Sequence, residues 1–246
     1  MNRRATLPVA ALTGLLLAIG AVTGASRPAA QAVPGTQAPP QPVFGPDLGR
    51  EVPGFLARED GLNYLIRSTG VIAIMRAKSS DQLIAAADAI KTGGVRVIEV
   101  TMTTPGALQV IEAATARYGN EVLFGAGSVL DAETARAAIL AGAGFVVAPT
   151  LKIAVIELCN RYSIPVMPGI FTPTEALTAW EAGADMVKLF PASIGGPELI
   201  KAIMAPLPQL EIVPVGGVEL DNAAAFIKSG AAALGVGSSL VNQKLL

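Results

Sequence analysis

The chain lacks histidine entirely and contains one cysteine, Cys159, among its 246 residues. Without an imidazole, histidine-dependent triads, histidine metal sites and histidine-bound haem are excluded. A single cysteine cannot form an internal disulfide or a thiolate metal cluster, and its helical surroundings favour a buried structural thiol. Any catalysis must therefore use lysine, arginine, acidic and hydroxyl side chains together with backbone amides, and we expect no metal site.

Aromatic residues make up only 4% of the chain, and the formal net charge is −1 with no block of basic residues. Nucleic-acid binding usually needs a basic surface and aromatic platforms for base stacking, so we expect no nucleic-acid partner. The long apolar run at residues 7–22 is short, rich in glycine and interrupted by a proline. We therefore expect no stable membrane span.

The first 54 residues differ in composition from the rest of the chain. Residues 1–32 resemble a signal segment, with two early arginines, the apolar run 7–22 and an A-x-A site at 30–32. An upstream stretch joined by a wrong start or by fusion is the alternative. Residues 33–54 are rich in proline, glutamine and glycine and are predicted to be a disordered linker. Residues 55–246 then form the predicted catalytic domain.

Short apolar runs alternate with helical patterns from residue 70 onward. The runs are apolar on both faces, as in a parallel sheet that is covered by helices. Eight such runs separated by helices predict an α/β fold of the (β/α)₈ TIM-barrel type. Only ten residues follow residue 236, so we expect the final helix to be truncated or missing. The predicted strands are 71–75, 95–100, 122–124, 145–148, 166–167, 185–191, 212–215 and 233–236.

One charged residue, Lys188, lies in the middle of the apolar run 185–191. Burying an unpaired ammonium is costly, which favours the neutral amine, and a neutral lysine is a nucleophile that forms Schiff bases with carbonyl compounds. Strand alternation places Glu99 on the same face of its strand as Val97 and Thr101. If both polar faces point inward, Lys188 and Glu99 meet inside the barrel. A structural ion pair is the alternative, although apolar packing usually stabilises an interior as well.

Further candidates lie where the strands end, because catalytic loops of this fold gather at the carboxyl ends of the strands. Arg76 follows the first strand and could hold a substrate carboxylate by a bidentate contact. Glycine-rich loops follow the last two strands, and such loops let backbone amides approach an anion closely. Tight turns that merely need glycine are the alternative. The predicted substrate-binding residues are Arg76, Thr103, Ser128, Pro149, Phe190, Gly216, Gly217, Gly237 and Ser238.

These residues lie in runs that resemble the class I aldolases of 2-keto-3-deoxy-6-phosphogluconate and 4-hydroxy-2-oxoglutarate. The resemblance covers about residues 70–241 and keeps six runs in order. The paired glycines follow a valine, Val215, as in members that act on the galactonate analogue. The matching runs are 93–101 (GGVRVIEVT), 125–129 (GAGSV), 168–175 (PGIFTPTE), 187–191 (VKLFP), 216–218 (GGV) and 235–238 (GVGS).

The resemblance implies a Schiff-base lysine at Lys188 and an acid/base at Glu99. It also implies that Arg76 and Thr103 line a pyruvate pocket and that Ser128 faces the site. Some members have an arginine at the position of Thr103, in which case Arg76 would take over the carboxylate contact. Gly216, Gly217 and Ser238 match the phosphate loops of the family. No cofactor is implied beyond the covalent Schiff base on Lys188.

The predicted function is a carbon–carbon lyase that cleaves 2-dehydro-3-deoxy-6-phosphogluconate, its galactonate epimer or 4-hydroxy-2-oxoglutarate to pyruvate and an aldehyde. The alternatives are another phosphate-sugar barrel enzyme, such as an epimerase or isomerase, and a non-catalytic barrel that binds a sugar acid or assembles. The resemblance also implies a homotrimer. A metabolic role favours the cytoplasm, whereas a mature N-terminus at Val33 would indicate export.

Overall fold

The computed structural model describes residues 65–66, 69–76 and 80–240, and within this part the side chains of residues 80 and 81 are not described. The predicted signal segment and linker therefore lie outside the described residues. So do residues 241–246, where the prediction of a truncated or missing final helix falls. The described chain closes with a turn at residues 238–240, in which the Leu240 amide donates to the carbonyl of Gly237.

The described chain alternates strands with helices, as the sequence predicts. The helices, in chain order, are α1 (Ser80–Thr92), α2 (Ala107–Tyr118), α3 (Ala132–Leu140), α4 (Ile153–Arg161), α5 (Pro173–Glu181), α6 (Ala192–Met204) and α7 (Ala223–Lys228). The strands are β1 (Val71–Met75), β2 (Val97–Thr101), β3 (Leu123–Gly127), β4 (Val146–Val147), β5 (Val166–Met167), β6 (Gly169–Ile170), β7 (Val187–Leu189), β8 (Ile212–Pro214) and β9 (Leu234–Val236).

All strand pairs are parallel, and they form two sheets that together make the barrel wall. One sheet has the order β5-β4-β3-β2-β1-β9 and the other the order β6-β7-β8. Pro168 separates β5 from β6, because proline has no N–H to donate to the ladder. A parallel bridge between Val215 and Gly235 joins the second sheet to β9. The predicted (β/α)₈ barrel is therefore confirmed, with its fifth strand divided in two.

The strands carry two separate apolar cores, one on each face of the wall. Along β2, Val97 belongs to the inner core, whereas Ile98 and Val100 belong to the outer core beneath the helices. Along the seventh strand, Met186 lies in the inner core and Val187 in the outer core. This alternation confirms that the polar positions between them, at residues 99 and 188, face the barrel interior.

Local side-chain hydrogen bonds fix where two helices begin. The Asp131 carboxylate accepts from the amide of Thr134 at 2.6 Å at the start of α3. At α5, Thr172 and Glu175 form a capping box, a reciprocal pair of side-chain-to-backbone bonds that satisfies two free amides. These caps account for where α3 and α5 begin.

α6 begins at Ala192 with a short first turn that precedes the non-helical Gly196 (φ 58°) and Pro197. The bounds of several strands differ from the sequence prediction. In particular, β3 extends through Gly127, whereas the predicted strand ends at residue 124. Glycine is a poor strand former, so its pattern indicates a loop, but here tertiary packing favours the extended strand.

No helix in the described part of the chain has both the length and the apolar content needed to cross a membrane.

Candidate active site

The centre of the site is a buried lysine that faces a buried carboxylate across the barrel. Lys188 comes from β7 and Glu99 from β2, and Lys188 Nζ lies 4.0 Å from Glu99 Oε1. The exposed fractions of the two side chains are only 6% and 2%. The strand register fixes the backbone position of Lys188, because this residue pairs with Gly169 of β6 on one side and with Val213 of β8 on the other. The predicted meeting of Lys188 and Glu99 is therefore present in the structure.

The surroundings of Glu99 favour the protonated form of its carboxyl group. Burial raises the pKa of its carboxyl group above the ordinary value, and the nearby charges of Lys188 and Arg76 only partly oppose this. Its Oε1 atom has no hydrogen-bond partner among the described residues. A buried polar atom without a partner is costly, and such atoms recur at functional sites. A small polar group placed beside Lys188 could satisfy Oε1.

Gly127 makes room for the carboxylate. A Cβ atom built on Gly127 would lie 1.8 Å from Glu99 Oε1, far inside van der Waals contact. A Cβ on Gly125, two residues earlier on the same face of β3, would lie 2.4 Å from the ring of Phe145. Gly127 therefore creates the space for the Glu99 carboxylate, and Gly125 makes room for the Phe145 ring.

A cavity of about 250 Å³ opens at the carboxyl ends of β1, β8 and β9. Six of the nine predicted substrate-binding residues line it, namely Arg76, Phe190, Gly216, Gly217, Gly237 and Ser238. The remaining lining residues are Ile74, Val215, Val218, Glu219, Gly235 and Ser239. The site that follows the last two strands is therefore a real concavity, as the glycine-rich loops predict.

Phe190 connects this cavity to the buried pair. Its ring lines the cavity and is 38% exposed. Lys188 Nζ lies 5.2 Å from the centroid of the same ring, within the range of a cation–π contact. Lys188 and Glu99 do not themselves line the cavity, so Phe190 is the lining residue that also lies beside the buried amine.

The loop after β8 has its carbonyl groups occupied and some of its amides unpaired. Gly216 and Gly217 both have φ of 84°, a left-handed conformation that suits glycine. The Gly216 carbonyl accepts from the Ser193 amide, the Gly217 carbonyl from Asn222 Nδ2, and the Val218 carbonyl from Ser239 Oγ. The amides of Gly217 and Val218 have no acceptor in the described part of the chain. Left-handed turns with free amides bind anions.

Three predicted residues lie outside the cavity lining. Thr103 is exposed, and its hydroxyl lies 3.0 Å from that of Thr101. Ser128 is half-buried, with φ of 59°. Pro149 is half-buried, and its carbonyl oxygen lies 2.2 Å from the position of a Cβ on Gly169. Their predicted contact with substrate stays a prediction.

Sequence reasoning missed three residues that shape the cavity, Glu219, Asn222 and Ser239. The Asn222 side chain accepts from the Glu219 amide at 2.9 Å and donates to the Gly217 carbonyl at 2.8 Å. Ser239 ties the loop after β9 to the loop after β8 through the Val218 carbonyl. The sequence signal that could have revealed them is the polar residues that follow the glycines of these two loops, in 218–222 after Gly217 and in 238–239 after Gly237.

Other reactive groups have structural surroundings. Cys159 is fully buried, and burial raises the pKa of its thiol to about 12, so it is a poor nucleophile. Within the described residues, no cluster of three or more cysteine, aspartate or glutamate side chains could hold a metal ion.

The fold and the buried pair define a (β/α)₈ barrel with a buried lysine amine beside a buried carboxyl group. The family model described as "KDPG and KHG aldolase" matches residues 62–246. The chain belongs to this aldolase family, whose members are carbon–carbon lyases.

The relatives include two that act on epimeric sugar acids. A 2-dehydro-3-deoxy-6-phosphogalactonate aldolase of Escherichia coli (strain K12) is 39% identical over 69% of this chain and 83% of its own length. A 2-dehydro-3-deoxy-phosphogluconate aldolase of Treponema pallidum is 38% identical over 64% of this chain and 75% of its own length. The similar proteins therefore include aldolases named for each of the two epimeric substrates.

One solved structure connects the family to covalent chemistry. The KDPG aldolase of Legionella pneumophila, with pyruvate captured as a covalent carbinolamine, has a TM-score of 0.70 and 28% identity over 74% of this chain and 88% of its own. A structure described as native KDPGal has a TM-score of 0.68 and 38% identity over 71% of this chain and 86% of its own.

Proposed function

We propose that this chain is a class I aldolase that cleaves a 2-keto-3-deoxy-6-phospho sugar acid to pyruvate and glyceraldehyde 3-phosphate. The observation that carries the proposal is the 4.0 Å separation of Lys188 Nζ and Glu99 Oε1 inside the barrel. A structural ion pair would satisfy both oxygens of the carboxylate, whereas Oε1 has no hydrogen bond in the described part of the chain. The pair is arranged for a reactant that enters between the two groups.

The reaction begins when Lys188 Nζ attacks the C2 ketone, and the carbonyl oxygen takes up a proton to give a carbinolamine. Loss of water, assisted by a proton from Glu99, leaves an iminium ion on Lys188. Removal of the proton from the C4 hydroxyl then breaks the C3–C4 bond, and its electron pair moves into the iminium to form an enamine. Protonation at C3 and hydrolysis release pyruvate and restore the amine.

The raised pKa of Glu99 suits this sequence of proton transfers. A buried carboxyl group that retains its proton to higher pH can act as an acid during dehydration and as a base once the proton is given. The enamine needs no metal to hold its electrons, because the iminium nitrogen accepts them. Arg76, at the mouth of the cavity, is the proposed contact for the substrate carboxylate.

The cleavage reaction provides the test of this function. With purified chain, we expect pyruvate to form from 2-keto-3-deoxy-6-phosphogluconate or its galactonate epimer, as followed by coupled reduction with lactate dehydrogenase. The rate should be unchanged after dialysis against EDTA, because Lys188 supplies the electron sink. A rate that is lost with EDTA and restored by a divalent cation would favour a metal-dependent barrel enzyme instead.

The natural substrate is assigned by which sugar epimer the chain prefers. Val215 precedes the paired glycines and lines the cavity. The resemblance associates a valine here with members that act on the galactonate compound, and 4-hydroxy-2-oxoglutarate is the third candidate substrate. The ratio of kcat/KM for the three compounds, measured in the same preparation, assigns the chain to one of them.

We also propose that the chain forms a homotrimer. One structure similar to this chain, a cube-shaped protein cage, was designed by fusing symmetric oligomeric domains and has a TM-score of 0.68. Exposed apolar side chains such as Leu140 (71%) and Trp180 (47%) would be available to an interface. Light scattering of the purified protein should give three times the 25.0 kDa of one chain; a monomer mass would contradict the proposal.

A further inference from the structure

Three threonines at the carboxyl end of β2 bring their hydroxyl groups together. Thr101 Oγ1 lies 3.0 Å from Thr103 Oγ1 and 3.5 Å from Thr104 Oγ1. Thr101 and Thr104 are buried, whereas Thr103 is exposed. The three hydroxyl groups therefore lead from the interior of the barrel to its surface, at the end of the strand that carries Glu99.

The strand register places this cluster at the level of the buried pair. Thr101 follows Glu99 by two residues in β2, so the two side chains share the inward face. On one side Thr101 pairs with Gly127, the residue that leaves room for the Glu99 carboxylate. On the other side the register of β1 puts Arg76 at the same level. Thr103 Oγ1, which lies 3.0 Å from the inward-facing Thr101 hydroxyl, is therefore at the mouth of the barrel.

The proposed reaction needs a contact for a carboxylate at this place. Lys188 attacks C2 of the substrate, and the carboxylate carbon is bonded directly to C2, so the carboxylate must bind close to the Lys188–Glu99 pair. Arg76 supplies a cation from the end of β1. A hydroxyl donor at the end of β2 would add a second hydrogen bond, and bonds to a carboxylate are stronger than bonds between neutral groups. Thr103 is the member of the cluster that an incoming substrate can reach.

We propose that Thr101 is a positioning residue of this reaction, which orients the Thr103 hydroxyl to donate to the carboxylate at the pyruvate end of the substrate. A hydroxyl group has one proton and two lone pairs. When Thr103 gives its proton to the carboxylate, it must accept in its bond with Thr101, so Thr101 donates to Thr103 and can accept from Thr104. Hydrogen bonds in such a chain polarise and strengthen one another. The two buried threonines act through Thr103 and do not touch the substrate.

This inference rests on the proposed aldolase function, and it concerns only how the carboxylate is bound. Loss of the Thr101 hydroxyl should weaken the binding of pyruvate and leave the maximal rate of enamine formation nearly unchanged, because Lys188 and Glu99 are retained. Both quantities come from deuterium exchange into the methyl group of pyruvate, measured as a function of pyruvate concentration. A residue that only stabilises the fold would lower the melting temperature without moving the half-saturating concentration.

The test compares the wild type with Thr101→Val, Thr103→Val and the variant that carries both changes. Valine keeps the branched shape of threonine and removes the hydroxyl group. Loss of a hydrogen bond to a charged group in Thr103→Val should raise the half-saturating pyruvate concentration about tenfold or more. Thr101→Val should raise it by about threefold to tenfold, and Thr101→Ser, which restores a hydroxyl, should return it to within about twofold of the wild type. The double variant should be no worse than Thr103→Val, because Thr101 acts through Thr103.

Thr69→Val is the matched control. Thr69 is also a buried threonine, and its hydroxyl donates to the Leu65 carbonyl at 3.0 Å, but it precedes β1 at the opposite end of the barrel. This variant should change the melting temperature alone. An unchanged half-saturating concentration in Thr101→Val, or effects that multiply in the double variant, would overturn the inference.

Two further readouts keep the outcome decisive. Thr103 is exposed, so Thr103→Val should fold even where Thr101→Val does not, and normal pyruvate binding in Thr103→Val would remove the contact that Thr101 is proposed to support. Borohydride trapping separates this failure from that of the proposed function. If the wild type traps pyruvate and the half-saturating concentration does not respond, the Thr101 hydroxyl is structural; if the wild type traps no pyruvate, the aldolase function and this inference are both wrong.

Discussion

Replacing Lys188 by alanine will abolish covalent trapping of pyruvate. Incubation of the wild-type chain with pyruvate and borohydride should give one reduced adduct per chain in the intact mass spectrum, and Lys188→Ala should give none. Lys188 is the only buried lysine in the described part of the chain, and a Schiff base requires an amine that can lose its proton. The cleavage rate should fall to the background rate at the same time.

Two comparisons make this result specific to the amine. Lys201→Ala removes an exposed lysine of α6 that is paired with Glu198, and it should retain both adduct and turnover. Lys188→Arg keeps a cation opposite Glu99 but cannot form a Schiff base, so it should lose the adduct while remaining folded by circular dichroism. An adduct in Lys188→Ala, or turnover near the wild-type rate, would remove Lys188 from the mechanism.

The barrel could be predicted from the sequence because its strands are short apolar runs that alternate regularly with helical patterns, as in a (β/α)₈ barrel. At β2 and β7 the period of two also predicted which side chains share a face, so that Glu99 and Lys188 were expected to meet if those faces point inward. The sequence did not reveal that β3 continues through Gly125 and Gly127. Phe145 and Glu99 occupy the space where side chains at these two positions would be, so the strand needs glycine there because of tertiary contacts between distant segments.

The candidate site was only partly predictable for a related reason. The carboxyl end of each predicted strand shows which residues lie at the catalytic face of the barrel. This is why Arg76 and the glycine-rich loops were predicted to contact the substrate. A strand end does not tell where a side chain of the following loop points, so the structure leaves Thr103 outside the lining. Glu219 was missed because its backbone position depends on the Asn222 side chain, which accepts from the Glu219 amide and donates to the Gly217 carbonyl, and no periodic pattern encodes such a turn.

Glu99→Gln should slow proton transfer without removing the nucleophile. Pyruvate bound as an iminium exchanges its methyl hydrogens with solvent through the enamine, so exchange in D₂O reports this step alone. We expect the exchange rate and kcat to fall by about 10²- to 10⁴-fold, the usual effect of losing a general acid–base. The pyruvate adduct should still form with borohydride, although more slowly, because Lys188 is retained.

The pH dependence distinguishes a proton-shuttling Glu99 from one that only fills space. Burial raises the pKa of Glu99 in the folded chain, so the folded state holds this proton more tightly than the unfolded state does. Its contribution to stability is therefore fully present below the ordinary glutamate pKa, and it is lost as pH rises through the raised value. Glutamine cannot ionise, so Glu99→Gln should gain stability relative to the wild type as pH increases over that interval.

The exposed Glu112 of α2 provides the control, since Glu112→Gln should change neither the exchange rate nor the pH dependence of unfolding. If Glu99→Gln alters the pH dependence of unfolding but leaves deuterium exchange intact, the buried carboxyl group is structural, and another group must carry the proton. If both change together, the space beside Gly127 holds the acid–base of the reaction. Gly127 then contributes to catalysis, because a Cβ atom at this position would occupy the space of the Glu99 carboxyl group.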